Sequence, residues 1–240
     1  MKKTIIFLLL IILMSLYRPV IQYLLPDLGT DYATLLRKSL QGGTVLAYIS
    51  ICRLWGRVGE LTKISGRSLL ILLPVFLLSF TAYLYGVRDK DIVGILMAVL
   101  ITLLIGVIEE LEFRGVIFFY LEENGPYAIL ASSVLFGLIH LLNLIYQPDV
   151  LSVVIQVVFA TGFGLVMAVI RYRTGLLLPQ ILMHALWDFN QRVSLDDSAN
   201  MLMDIIYYLS LLLVVLWGVF LTVRIKKGEK SKNADLNIIM

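Results

Sequence analysis

Four ionisable side chains, Glu109, Glu110, Glu112 and Arg114, fall within six consecutive residues of an otherwise apolar stretch. The seventeen residues before them, 92–108, carry no charge, and neither do residues 115–121. A charged side chain at a bilayer centre costs about 2.5 to 3.5 kcal/mol on insertion scales, so a cluster of four does not face lipid. The plainer alternative, that 92–108 is a short membrane helix with Glu109 at its wet end, strands the apolar run 115–121 outside the membrane. Three further positions carry comparable groups. His140 closes the run Phe136-Gly137-Leu138-Ile139-His140, and His184 stands four residues before Asp188, on one helical face. These are the only two histidines in the chain. Carboxylates and imidazoles held away from bulk water serve as general acids and bases or as proton relays.

The spacing assigns roles within the first cluster. Glu110 and Arg114 are four apart with the acid first, the favourable order for a helical ion pair, so Arg114 is expected to fix Glu110. Glu109 points about 100° away around the helix and is expected to stay unpaired as the general base. Glu112 is expected to snorkel toward the surface.

The elements that carry these residues are read from hydropathy. The chain has 240 residues, 60% hydrophobic and 15% charged, and its mean hydropathy of +0.91 describes a polytopic all-α membrane protein with no soluble second domain. Lys2 and Lys3 before an apolar run resemble a signal peptide, but no small-residue cleavage site follows, so 4–25 reads as a retained helix kinked at Pro19. Further spans are expected at 34–55, 67–86, 92–121, 127–146, 151–172, 174–191 and 203–224, about eight in all. The span 34–55 is interrupted by Arg37, Lys38, Gly42 and Gly43. The site residues then lie on the fourth, fifth and seventh helices. The organisation expected is 1–91 for the first three helices, 92–191 for a core, and 192–240 for the last helix and a basic tail.

Lysine and arginine are expected to mark the cytoplasmic side. With the N-terminus inside, thirteen fall on cytoplasmic segments and six opposite, which puts both termini in the cytoplasm of a cell-membrane protein. The tail 224–232 reads as a headgroup anchor rather than a nucleic-acid site, and 233–240 as a loose end. Cys52 is the single cysteine, so an intrachain disulfide and a cysteine-based zinc cage are excluded. Counted from the ends of their helices, Glu109, His140 and Asp188 lie at ~21 Å depth and His184 at ~15 Å, nearly one level.

With these residues in place, the chain resembles the CAAX prenyl protease and bacteriocin-processing family of intramembrane proteases, whose pattern is EExxxR, FxxxH and then HxxxN or HxxxD. The matches are Glu109, Glu110 and Arg114, then Phe136 and His140, then His184 and Asp188, over residues 92–191. The resemblance implies peptide-bond hydrolysis within the membrane, with Glu109 and His140 activating water and His184 with position 188 facing the oxyanion. Asp188 stands where many relatives have Asn. An ionised Asp cannot donate to an oxyanion, so Asp188 is expected to orient His184; Asn190 is off that face. Family members are often called metalloproteases, and Glu109, His140 and His184 could supply three zinc ligands. The pattern lacks HExxH, and a metal-free glutamate mechanism without cofactor is the expectation.

Two other functions compete. A proton-coupled carrier would use the same groups as a relay, although inverted repeats are not evident. A non-enzymatic membrane immunity or partner protein would use the fold alone. The partners expected of a protease are the lipid bilayer and a peptide, leader or membrane-protein substrate, with no nucleic acid.

Overall fold

The computed structural model describes residues 2–146, 149–195 and 201–239, with side chains described as far as Ile225. Lys226, Lys227, Lys230 and Lys232 of the basic tail therefore lie outside the described side chains. The helices, in chain order, are α1 (Lys2–Met14), α2 (Tyr17–Leu24), α3 (Thr30–Ile51), α4 (Gly66–Ser79), α5 (Ile92–Glu110), α6 (Phe118–Leu121), α7 (Tyr127–Ile139), α8 (Val150–Thr174), α9 (Leu178–Val193) and α10 (Met201–Ile239).

Local chemistry sets several boundaries. The Asp91 carboxylate accepts from the Gly94 amide at the start of α5, and Ser65 forms a capping box with Ser68 at the start of α4. Asp149 caps α8 by accepting from the Leu151 and Ser152 amides, and Gly175 ends it at φ 70°, a conformation that glycine adopts without steric cost. The hydrogen bonds from Ser152 hold the exposed Asp149 carboxyl below its usual range. The break in the first helix falls at residues 15–16 rather than at Pro19. Proline has no N–H to offer the carbonyl four residues earlier, so the interruption appears on that side of the ring.

Among the described residues, six helical segments are long and apolar enough to cross a membrane: Lys2–Leu24, Gly66–Tyr85, Ile92–Asn124, Tyr127–Ile145, Val150–Thr174 and Met201–Ile225. The protein is an integral multi-pass membrane protein. The expected figure of eight is not reached by this measure. α3 is helical over 22 residues but carries Asp31, Arg37 and Lys38, and α9 has only 16 residues with charges at both 188 and 192. The outer faces of the apolar helices present large side chains such as Leu9, Leu70, Leu96 and Leu213 to the surroundings. At the C-terminus α10 runs to Ile239 in place of the loose end expected from 233.

α8 is the central element, with 61% of its span buried against 28–33% for the other five. Two close approaches position the site. A Cβ at Gly106 of α5 would stand 2.8 Å from the Ile181 carbonyl oxygen of α9, so only glycine lets these backbones meet there. A Cβ at Gly137 of α7 would stand 2.8 Å from the Val157 carbonyl oxygen of α8 and collide with Thr161. The span 92–121, expected as one α-helix, is interrupted: Leu111–Ile117 forms a π-turn between α5 and α6. Such turns are rare and concentrate at functional sites.

Candidate active site

The π-turn begins at the residue after Glu110, and every one of its seven residues is buried. Arg171 of α8 holds it. Its Nε donates to the Arg114 carbonyl oxygen at 3.1 Å, its Nη2 to the Arg57 carbonyl oxygen at 2.8 Å and its Nη1 to the Gly175 carbonyl oxygen at 3.3 Å. A guanidinium can satisfy carbonyls that an irregular turn leaves without a regular helical partner.

Glu110 and Arg114 form the expected ion pair, with Nη1 3.0 Å from Oε1 and both side chains fully buried. The same oxygen accepts from His184 Nδ1 at 2.9 Å. Because a carboxylate only accepts, Nδ1 carries the proton and His184 presents Nε2 to the interior of the site. That Nε2 lies 3.7 Å from Glu109 Oε2 and 3.9 Å from Asp188 Oδ2. Glu110 therefore orients His184, the part expected of Asp188. The direct hydrogen bond fixes the ring, while Asp188 stands a longer contact away on the same helical face.

Glu109 is not unpaired. Lys38 of α3 donates to its Oε1 at 2.9 Å, leaving Oε2 as the atom turned toward His184. The lysine that interrupts the second apolar run is thus the counter-ion of the acid that heads the first cluster. Glu112 departs from expectation as well. Instead of snorkelling it is 5% exposed and lines the same chamber as Glu109 and Lys38, within the π-turn against which α3 and α7 pack.

His140 stands at the end of α7, where the chain tightens into a 3₁₀ turn over His140–Ile145. Its Nδ1 lies 2.8 Å from the Phe136 carbonyl oxygen, which can only accept, so Nε2 is the unprotonated nitrogen available to the site. Phe136 packs against both catalytic candidates and their support. Its ring meets His140 edge-on at 5.0 Å and His184 at 5.8 Å, and Arg114 lies over its face at 4.2 Å. Gly164 leaves room for that arginine, since a Cβ there would be 2.8 Å from Nη2. Asn190 is engaged elsewhere, accepting from the Tyr83 hydroxyl and donating to Ser79.

His140, His184 and Asp188 all line two cavities. One, of about 310 Å³, is charged and includes Lys38, Glu109 and Glu112. The other, of about 370 Å³, is walled by Phe136, Phe159, Phe163, Trp187 and Leu211. An apolar groove and a charged chamber therefore meet at the two imidazoles. Glu109, His140 and His184 are not gathered as a zinc site: the Lys38 ammonium sits on Glu109, and no group of three His, Cys, Asp or Glu side chains among the described residues is placed to hold a metal.

Sequence reasoning missed Lys38 and Arg171. The signal for Lys38 was present, because a cation within a helix that must pack against a membrane core needs an acid. Arg171, at the end of an apolar helix, gives no comparable sign.

A multi-pass helical membrane protein with buried glutamates, an arginine counter-ion and two imidazoles around one chamber is the class that fold and site define. Residues 91–190 match the family model described as Type II CAAX prenyl endopeptidase Rce1-like, so this segment is similar to that family. No curated protein and no solved structure matches the chain.

Proposed function

We propose that the protein is an intramembrane endopeptidase that hydrolyses a peptide bond with Glu109 and His140 as the water-activating pair. The observation that carries this reading is the placement of His184 between two glutamates, Nδ1 on Glu110 and Nε2 toward Glu109, in a chamber that His140 also lines. Glu109 Oε2 takes a proton from water while His140 Nε2 accepts its second O–H and aims it at the carbonyl. The hydroxide adds to carbon, and the oxyanion forms opposite His184. For Nε2 to donate there the ring must carry both protons, and with Glu109 protonated by the water, Glu110 and Asp188 supply the counter-charge for that imidazolium. Glu109 then returns its proton to the leaving amine and the carboxylate is restored. No metal takes part in these steps.

The family name brings prenylated peptides into view. The apolar groove beside His140 and His184 suits a bulky apolar or lipid-modified residue next to the scissile bond. A cell-membrane location with both termini cytoplasmic completes the reading. The test is cleavage of prenylated and unprenylated peptides by the purified protein in lipid. Turnover abolished in both Glu109→Gln and His140→Ala supports the assignment; turnover retained in either variant overturns it. Stoichiometric zinc, with activity lost to a chelator and restored by the metal, would overturn the metal-free part.

A further inference from the structure

Arg18 of α2 and Arg37 of α3 are two half-buried guanidiniums that line the charged chamber together with Glu109, His140 and His184. Both also line a second cavity of about 350 Å³, bounded by Ile21, Leu25, Leu28 and Thr34. Arg18 lies over the Tyr146 ring, 3.9 Å from its centroid, and Arg18 and Arg37 are near enough to repel one another. Their neighbours are matched with acids: Lys38 binds Glu109, and Arg192 binds Asp31. Among the described residues neither Arg18 nor Arg37 has a salt bridge or hydrogen bond to an acid. Like charges brought together away from water are unfavourable until an anion comes between them, and planar forks match a carboxylate or a phosphate, of which a peptide carries the carboxylate.

We propose that Arg18 and Arg37 form a carboxylate-binding subsite for the peptide that occupies the chamber, with the apolar wall of the second cavity taking the side chain next to that carboxylate. The carboxylate is either the peptide's C-terminal group or an acidic side chain. The subsite rests on the peptidase reading, and it comes from helices that lie before the segment matched to the family.

The experiment measures binding to the full chain in phosphatidylcholine nanodiscs of three probes: acetyl-Ala-Leu-Leu with a free C-terminus, its C-terminal amide, and acetyl-Ala-Leu-Asp amide. The free acid is expected to bind about tenfold more tightly than its amide, the effect of one charge-assisted contact. Arg18→Gln and Arg37→Gln should each bring that ratio close to one. Tight binding of the aspartyl amide as well assigns the subsite to carboxylates in general; its failure to bind restricts the subsite to chain termini. Equal affinity of acid and amide, absence of binding by either, or a preference that survives Arg37→Gln overturns the proposal. So does a preference abolished by phosphatidylglycerol in the nanodisc, which would give the pair to lipid phosphate. Because the acid and amide are compared on the unaltered protein, a folding defect in a variant leaves the test intact. Cleavage without the preference would sink the subsite alone. The preference without cleavage of any peptide would sink the peptidase reading alone.

Discussion

Glu109 and Glu110 are adjacent in sequence and differ in setting. Glu110 is fully buried and bonded to both Arg114 and His184, so it is part of the frame. Glu109 has a 20% exposed side chain, is held at one oxygen by Lys38 and faces the chamber with the other. Glu109→Gln should lower turnover by at least about a hundredfold with little change in Tm, since a neutral amide keeps the shape but cannot take a proton. Glu110→Ala should lower both activity and Tm. It leaves Arg114 as an uncompensated buried charge, a loss of about 3 to 5 kcal/mol by analogy with broken buried pairs. Thermal unfolding of the two variants beside their cleavage rates separates these outcomes, and equal Tm losses would contradict the division of roles. Lys38→Met should reduce kcat about tenfold or more while the chain still folds, because one charge-assisted contact to the acting carboxylate is removed. An unchanged kcat would show that Lys38 is a bystander.

At the scale of elements, the site depends on how closely α5, α7, α8 and α9 approach. Gly106→Val should separate Glu110 from His184, since even a Cβ would come within 2.8 Å of the Ile181 carbonyl oxygen. Overpacking of this kind costs about 1 to 3 kcal/mol, and here the displaced backbone carries the imidazole. The expected result is a folded protein with severely reduced kcat; full activity would mean that the α5 and α9 contact is not what registers the site. The π-turn is a second such device. Arg171→Met should loosen it by removing the hydrogen bond to the Arg114 carbonyl, together with those that tie Arg57 and Gly175 to the same side chain, lowering Tm and activity together although Arg171 lines neither cavity at the imidazoles.

For the whole molecule, the segment matched to the family does not contain the whole chamber. Lys38, Arg18, Arg37 and Ile11 come from the first three helices, and Tyr207 and Leu211 of the apolar groove come from the last. A chain shortened to begin at Ile92 should therefore fail to cleave any peptide that the full chain cleaves, even in lipid and with Glu109, His140 and His184 intact. Co-expressing the missing helices as a separate piece should restore activity if packing is all that was lost. Activity in the shortened chain alone would show that the N-terminal helices only anchor the protein.

The sequence by itself determined the membrane class and six of the eight expected spans, and it marked the ionisable candidates within them, because hydropathy and the cost of charge in hydrocarbon act locally along the chain. It also determined the Glu110–Arg114 pair, since four residues along one helix bring the two groups together whatever the rest of the protein does. Only the tertiary structure decided which acid orients His184, that Lys38 sits on Glu109, and that Glu112 turns inward. Each of those facts joins residues dozens of positions apart, through helix approaches set by a few glycines and a π-turn. Local periodicity carries no record of which neighbour a helix face will meet.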